Sequence, residues 1–291
     1  MGEVGETTLA SVFKIWGCRG SAPTPGAAHL RYGGETTCYE IRRGEERLWI
    51  DAGTGLRSAA AHWAAGGAAD VPSLLLSHLH LDHVMGLGAL APHLSPERPA
   101  TLYVAGDVEA VRSALGRLYA PPFWPVALFE SGKFRLESLQ MLEPKRLGGF
   151  AVRPFPLNHP GGCSGFEIEV DGARVVIAAD HEHGDRQIDA ALEARMQGAD
   201  LVVYDAAYGD AEYPARRGWG HSTREEGLRL ADRARPRRML LTHHDPTADD
   251  ARLSAFEESQ LAERSATVAL ARDGMTILLD APKGGPQFVG G

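Results

Sequence analysis

Three histidines and an aspartate fall within six residues at Ser77-His78-Leu79-His80-Leu81-Asp82-His83, directly after the apolar run Ser73–Leu76. Imidazole nitrogens and a carboxylate oxygen, with no thiolate among them, are donors suited to borderline divalent metals. His78 and His80 alternate along an extended segment, so both rings can reach one cation. Asp82 and His83 then turn away and can reach a second one nearby. The competing reading is a polar loop of hydrogen-bonded histidines. Even in a chain with 12 histidines, four donors packed this densely behind an apolar strand favour the metal reading.

Such donors need rigid elements to hold them. Short β-branched or apolar runs punctuated by Gly and Pro predict strands at Ser11–Trp16, Thr36–Ile41, Arg47–Ile50, Ser73–Ser77 and Thr101–Val104. The second half repeats the pattern at Gly149–Phe155, Gly165–Val170, Arg174–Ala179, Leu201–Tyr204, Met239–Thr242 and Met275–Leu279. Helical spacing covers Gly55–Ala65, Val108–Tyr119, Gln187–Gln197, Thr223–Arg233 and Ser254–Glu263. Strands interspersed with helices predict packed sheets covered by helices, in one domain over residues 1–291. Its ordered core is expected from about 11 to 280, with a mobile Gly- and Pro-rich tail at Ala281–Gly291.

The 291 residues carry a net charge of −8, with 44% hydrophobic and 23% charged side chains. That composition excludes a disordered chain, a collagen-like repeat and a disulfide scaffold. The acidic balance argues against a broad basic surface for nucleic acid or anionic membrane. No apolar run approaches the ~20 residues that span a bilayer, and the opening Met1–Thr8 reads as neither a secretory signal nor a myristoylation site. Cys18, Cys38 and Cys163 have no metal-type spacing. Three reduced thiols in a cytoplasmic protein are the expectation.

The His-x-His-x-Asp-His segment resembles the metal signature of the metallo-β-lactamase superfamily, and further motifs follow in that family's order. The resemblance covers roughly residues 11 to 280 and implies an α/β protein, a four-layer αββα sandwich. Asp51 in Ile-Asp-Ala-Gly-Thr-Gly matches the position that supports the site by hydrogen bonds; a cap residue at a strand-to-helix turn is the alternative. His159 in Leu-Asn-His-Pro-Gly-Gly matches the third ligand. Asp180, closing an apolar strand, matches the bridging carboxylate. Nearby His181, Glu182, His183 and Asp185 are competing candidates that read better as an exposed polar loop at the mouth of the site. The last ligand falls in Thr242-His243-His244-Asp245-Pro246, where His243 matches the family position and His244 stays open. The implied set is His78, His80 and His159 on one metal and Asp82, His83 and His243 on the other, with Asp180 bridging. Two divalent ions follow, zinc first, although such donors also accept manganese or iron.

A second element, Gly218-Trp219-Gly220-His221-Ser222-Thr223, resembles the ribonuclease Z and phosphodiesterase branch. There the histidine stabilises charge or protonates the leaving oxygen, and Asp205 matches the acidic residue that orients it. Ser222 with Glu225 reads as a capping box, so a helix should start near Thr223, with His221 beside an N-terminus that favours phosphate. Gly17-Cys-Arg-Gly-Ser-x-Pro23, Tyr32-Gly-Gly-Glu-Thr-Thr-Cys38 and His243-His-Asp-Pro246 resemble small bacterial metal-dependent hydrolases of this branch, some of them cyclic-nucleotide phosphodiesterase-like. The tRNA-gripping arm of ribonuclease Z has no room between His159 and Asp180, so 3′ processing of tRNA ranks lower. The implied activity is hydrolysis of a small phosphodiester by a metal-bridged hydroxide, positioned by Asp82 and Asp180, with His221 as acid. Rival readings are a carboxylic ester, lactone or thioester hydrolase of the same fold and a non-catalytic metal protein. The partner is a small molecule, with no membrane or extended nucleic acid; a homodimer is compatible with the resemblance. The loop Ala120–Val126, with Phe123 and Trp124, could wall a pocket or pack on the core.

Overall fold

The structure, a computed structural model, describes residues 11–67, 70–264 and 266–279. The tail at Ala281–Gly291 and the opening Met1–Thr8 lie outside the described residues. Among those residues, two seven-stranded sheets form. The first runs in the order β14 (Thr276–Leu278), β1 (Val12–Gly17), β2 (Cys38–Arg43), β3 (Glu46–Ile50), β4 (Ser73–Leu76), β5 (Ala100–Val104), β6 (Phe134–Ser138). The second runs β13 (Val268–Leu270), β12 (Met239–Thr242), β11 (Leu201–Asp205), β10 (Ala173–Ala178), β9 (Cys163–Val170), β8 (Phe150–Leu157), β7 (Lys145–Leu147).

Strand side chains alternate between faces, and three apolar clusters sort those faces into four layers. Phe13, Ile15, Tyr39, Ile41 and Ile50 of the first sheet meet Val152, Phe166, Ile168, Val175, Val203 and Leu240 of the second. The outer face of the first sheet, with Trp49, Leu74, Leu76 and Leu102, packs on helices α1 (Leu56–Ala65) and α4 (Val108–Leu118). Two short helices, α2 (Leu81–Val84) and α3 (Leu87–Leu90), fill the space after β4. The outer face of the second sheet, with Val176, Val202, Tyr204 and Leu241, carries α5 (Arg186–Met196), α6 (Arg224–Ala234) and α7 (Asp250–Phe256). The result is the αββα sandwich. No helix among the described residues is long and apolar enough to cross a membrane.

Boundaries differ from the sequence reading where hydrogen bonds override pattern. Thr223, not Ser222, caps α6: its Oγ1 accepts from the Glu226 backbone at 3.0 Å. The cap is a single bond and not a capping box, because the Glu226 carboxylate pairs with Arg229 and Arg233, and Ser222 donates instead to the His181 carbonyl at 2.5 Å. The helix expected from Ser254 starts at Asp250, because Asp249 accepts from the Arg252 N–H at 2.9 Å. It continues as a π turn over Glu257–Leu261.

β3 through β6 pair in parallel, as do β10 through β13. Loops after the carboxyl ends of parallel strands gather along one edge, where open α/β sheets place their sites. Ser77–His83, Asp180, Asp205 and His243 follow or end β4, β10, β11 and β12 in this way.

Candidate active site

The fold brings all the expected ligand side chains together. One atom each from His78, His80 and His159 lies within 4.8 Å of the other two, and the same holds for Asp82, His83 and His243. Asp180 stands between the two trios. Its Oδ2 lies 3.6 Å from His78 Nε2 and 3.9 Å from His159 Nε2, whereas Oδ1 lies 3.1 Å from His83 Nε2 and 3.3 Å from His243 Nε2. Each carboxylate oxygen therefore faces one trio.

On His83, His159 and His78 the other ring nitrogen has a protein partner, which fixes how each of these imidazoles points. His83 donates from Nδ1 to Asp51 at 2.9 Å, and Asp51 also accepts from the Ser77 N–H and hydroxyl. His159 donates from Nδ1 to the Gly220 carbonyl at 2.9 Å, and His78 Nδ1 lies 3.0 Å from Ser77 Oγ. Asp51 thus supports the site through His83. Both Asp51 (φ 60°) and His243 (φ 59°) adopt the left-handed backbone that non-glycine residues rarely take. Strain of this kind collects at sites that need a side chain aimed in one direction. His243 also needs Gly20 behind it, where a Cβ would sit 2.2 Å from Nδ1. His244 turns elsewhere, donating from Nε2 to the Ala271 carbonyl at 2.9 Å. That orientation leaves His243 as the residue facing the cluster.

Divalent cations fit these residues on two observations. His78 Nε2, His83 Nε2 and Asp180 Oδ1 are buried without a hydrogen-bond partner, an arrangement costing about 1–3 kcal/mol per atom unless something satisfies them. The field of the cluster also calls for positive charge. Burial pulls His243 down, yet Asp180 and Asp82 hold it up at about 9. His83 is raised likewise against burial by Asp180, Asp82 and Asp51, while burial and neighbouring imidazoles take His78 to about 2.

Beside the cluster stands His221, which donates from Nδ1 to Asp205 at 2.8 Å. The backbone N–H groups of His181, Ala207 and Ser222 also point at the Asp205 carboxylate, so the pair is firmly held. His221 belongs to one close group with His159 and Asp180 and to another with Asp205 and His243. A cavity of about 600 Å³ opens here, and its lining includes His80, Asp82, Asp180 and His221 together with Tyr208, Arg216 and Trp219. The loop with two aromatics divides its roles. Trp124 packs edge-on against Tyr119, centroids 5.2 Å apart, and Phe123 is exposed; neither lines this cavity.

One expectation is corrected. His181 and Glu182 do not belong to an exposed loop; both are buried. His183 is half-buried against Tyr213, and Asp185 caps α5 by accepting from the Gln187 and Ile188 N–H groups. The reason is the segment 213–220, which folds over them. Glu182 accepts from Gly218 N–H at 2.7 Å, Gly220 N–H at 2.8 Å and Tyr213 O–H at 3.0 Å. It thereby fixes the Gly220 carbonyl that orients His159. Gly220 itself (φ +92°) admits no Cβ, which would meet His159 Nδ1 at 2.1 Å. Sequence reasoning placed Glu182 among the candidates in an exposed loop and gave no role to Tyr208, Arg216 or Trp219; the only signal for Glu182 was a titratable run directly after an apolar strand.

Glu182→Ala is expected to lower stability by about 2–3 kcal/mol, from two N–H groups left without an acceptor, and turnover by about tenfold as His159 relaxes. Glu182→Gln should recover part of both. Thermal unfolding and turnover on one zinc-loaded sample check this, and unchanged turnover in the Ala variant contradicts it.

A family model described as a beta-lactamase superfamily domain matches residues 46–244. The ribonuclease Z of Mycolicibacterium paratuberculosis is 29% identical over 273 residues, covering 83% of this chain and 91% of that protein. The ribonuclease Z of a Bradyrhizobium species is 25% identical over 247 residues, covering 70% and 81%. Among solved structures, the metallo-beta-lactamase fold protein YhfI from Bacillus subtilis superposes with a TM-score of 0.69 at 20% identity, over 92% of this chain and 99% of that one.

Proposed function

Because the chain belongs to the beta-lactamase superfamily, we propose that it is a dinuclear metal-dependent phosphodiesterase acting on small phosphodiesters such as cyclic nucleotides. The observation that carries this reading is His221, held by Asp205 at 2.8 Å and grouped with Asp180 and His159. Cleaving a phosphodiester expels a poor alkoxide leaving group, which needs a proton as the bond breaks. With its Nδ1–H committed to a carboxylate, the doubly protonated ring presents its Nε2–H to the leaving oxygen and returns to the neutral Nδ1–H form as that proton is transferred.

His78, His80 and His159 would hold one cation and Asp82, His83 and His243 the other, with Asp180 shared. When bound, two divalent cations supply Lewis acidity that neutralises charge on phosphoryl oxygens and makes water nucleophilic at neutral pH. The chain's residues do the rest. Asp51, Ser77 and Gly220 aim the imidazoles. The Ser21 N–H holds Asp82 Oδ2 at 2.7 Å, leaving that carboxylate to orient the attacking water. Asp205 holds the His221 ring in one orientation throughout.

Turnover of bis(p-nitrophenyl) phosphate after reconstitution with zinc or manganese, with metal content measured on the same sample, tests the reading. Metal-dependent hydrolysis at about two ions per chain is expected. Two bound ions without hydrolysis of any diester would overturn it in favour of carboxylic esters or lactones.

The curated relatives favour a second reading, since those compared are named ribonuclease Z. Against it, the segment from His159 to Asp180 is taken up by β9, the Asp171–Gly172 turn and β10, and the chain is acidic. Cleavage of a 3′-extended precursor tRNA in preference to small diesters would establish it.

A further inference from the structure

Trp219 is 56% exposed in the cavity that contains His221 and Asp180. Exposed tryptophan is costly on a free surface, and this one is not left to move. Its backbone N–H donates to the Arg216 carbonyl at 3.1 Å. The glycines on either side, Gly218 and Gly220, donate to the buried Glu182 carboxylate at 2.7 and 2.8 Å. The ring is braced as well. The Arg216 guanidinium carbon lies 4.7 Å from the centre of the Trp219 rings and 5.5 Å from that of Tyr208. Arg216 forms no ion pair among the described residues, so these aromatic faces are its electrostatic partners. Tyr208 in turn sits edge-on to His221, centroids 6.0 Å apart.

A layered stack thus runs from beside the proposed acid to an exposed indole. We infer that this indole is a stacking platform for the heterocyclic base of a nucleotide substrate, an inference that rests on the phosphodiesterase reading. A base placed on the indole would lie in the same cavity that His221 and Asp180 line. Stacking of this kind is sequence-tolerant and contributes about 1–3 kcal/mol per base, or roughly 5- to 150-fold in affinity. Merely covering Arg216 would need no aromatic ring and no rigid mount.

The test compares adenosine 2′,3′-cyclic phosphate with methyl riboside 2′,3′-cyclic phosphate, which lacks the base, on the zinc-loaded protein. The native chain should prefer the nucleotide in kcat/KM by about tenfold or more, mostly through KM. Trp219→Ala should collapse that preference to near unity, and Trp219→Phe should restore most of it. A native chain that does not distinguish the two, or an Ala variant that keeps the preference, overturns the inference. If neither is cleaved, the phosphodiesterase reading fails on its own. Binding then decides the platform: adenosine 5′-monophosphate should bind more tightly than ribose 5-phosphate by equilibrium dialysis, and Trp219→Ala should erase the difference. Equal binding by the native chain overturns it.

Discussion

Replacing Asp180 by Ala is expected to lower the bound metal from about two ions per chain to one or none, and turnover with it by about 10²- to 4 × 10³-fold. Asp180 alone presents one oxygen to the His78/His159 side and the other to the His83/His243 side. Removing one partner of a buried charge pair costs about 3–5 kcal/mol, which at 1.4 kcal/mol per tenfold gives that range. Stability supplies an independent readout. An ion held in thousandfold excess over its dissociation constant adds about 4 kcal/mol to the folded state, so zinc should raise the unfolding temperature of the native chain. The Ala variant should lose most of that increment. Asp180→Asn keeps the side-chain volume and separates loss of charge from loss of packing; it should resemble the Ala variant in metal content. Full metal occupancy in both variants would remove Asp180 from the centre of the site.

That centre was legible in the sequence to an unequal degree. His78, His80, Asp82 and His83 are contiguous, so residue type and alternation sufficed to mark them. His159, Asp180 and His243 lie on separate strand ends, and nothing local distinguishes His243 from His244. Only the order of motifs pointed to them. In the fold, His243 sits on a left-handed turn and faces the cluster, whereas His244 donates to the carbonyl of Ala271. The long strands were readable from their apolar alternation, whereas β6, β7 and β13 were not. Phe134–Ser138 places only Phe134 and Leu136 inward, and β7 and β13 span three residues each. At that length pattern cannot separate an edge strand from a loop.

What sequence could not carry is partnership across distance. Glu182 meets Gly218 and Gly220, 36 and 38 residues on. Arg19, buried in the Gly17–Pro23 motif, donates to the carbonyls of Gly33, Asp245 and Ala248. That motif matters because it lets the loop after β12 settle: Gly20 leaves room for His243, and the Ser21 N–H holds Asp82. None of these pairs has a local signature, because each joins segments that are distant in sequence and meet only in the folded chain.

His221→Ala should reduce kcat by about 10²–10⁴-fold, the usual contribution of a positioned acid, while metal content stays near that of the native chain. The second half of that expectation matters as much as the first, since His221 also lies within ligand distance of His159 and Asp180. Were it a ligand, metal and turnover would fall together. Leaving-group dependence offers a sharper discrimination. A nitrophenolate leaves without much help, whereas an alkoxide must be protonated, so the variant should lose far less on bis(p-nitrophenyl) phosphate than on an alkyl diester or a cyclic nucleotide. Asp205→Asn should follow the same pattern more weakly, because it frees the imidazole to take the wrong tautomer without removing it. The Asp205 carboxylate also receives the N–H groups of His181, Ala207 and Ser222. Some loss of stability is therefore expected in that variant. An equal loss on activated and unactivated diesters would deny His221 the role of acid and leave it, at most, a group that steadies charge.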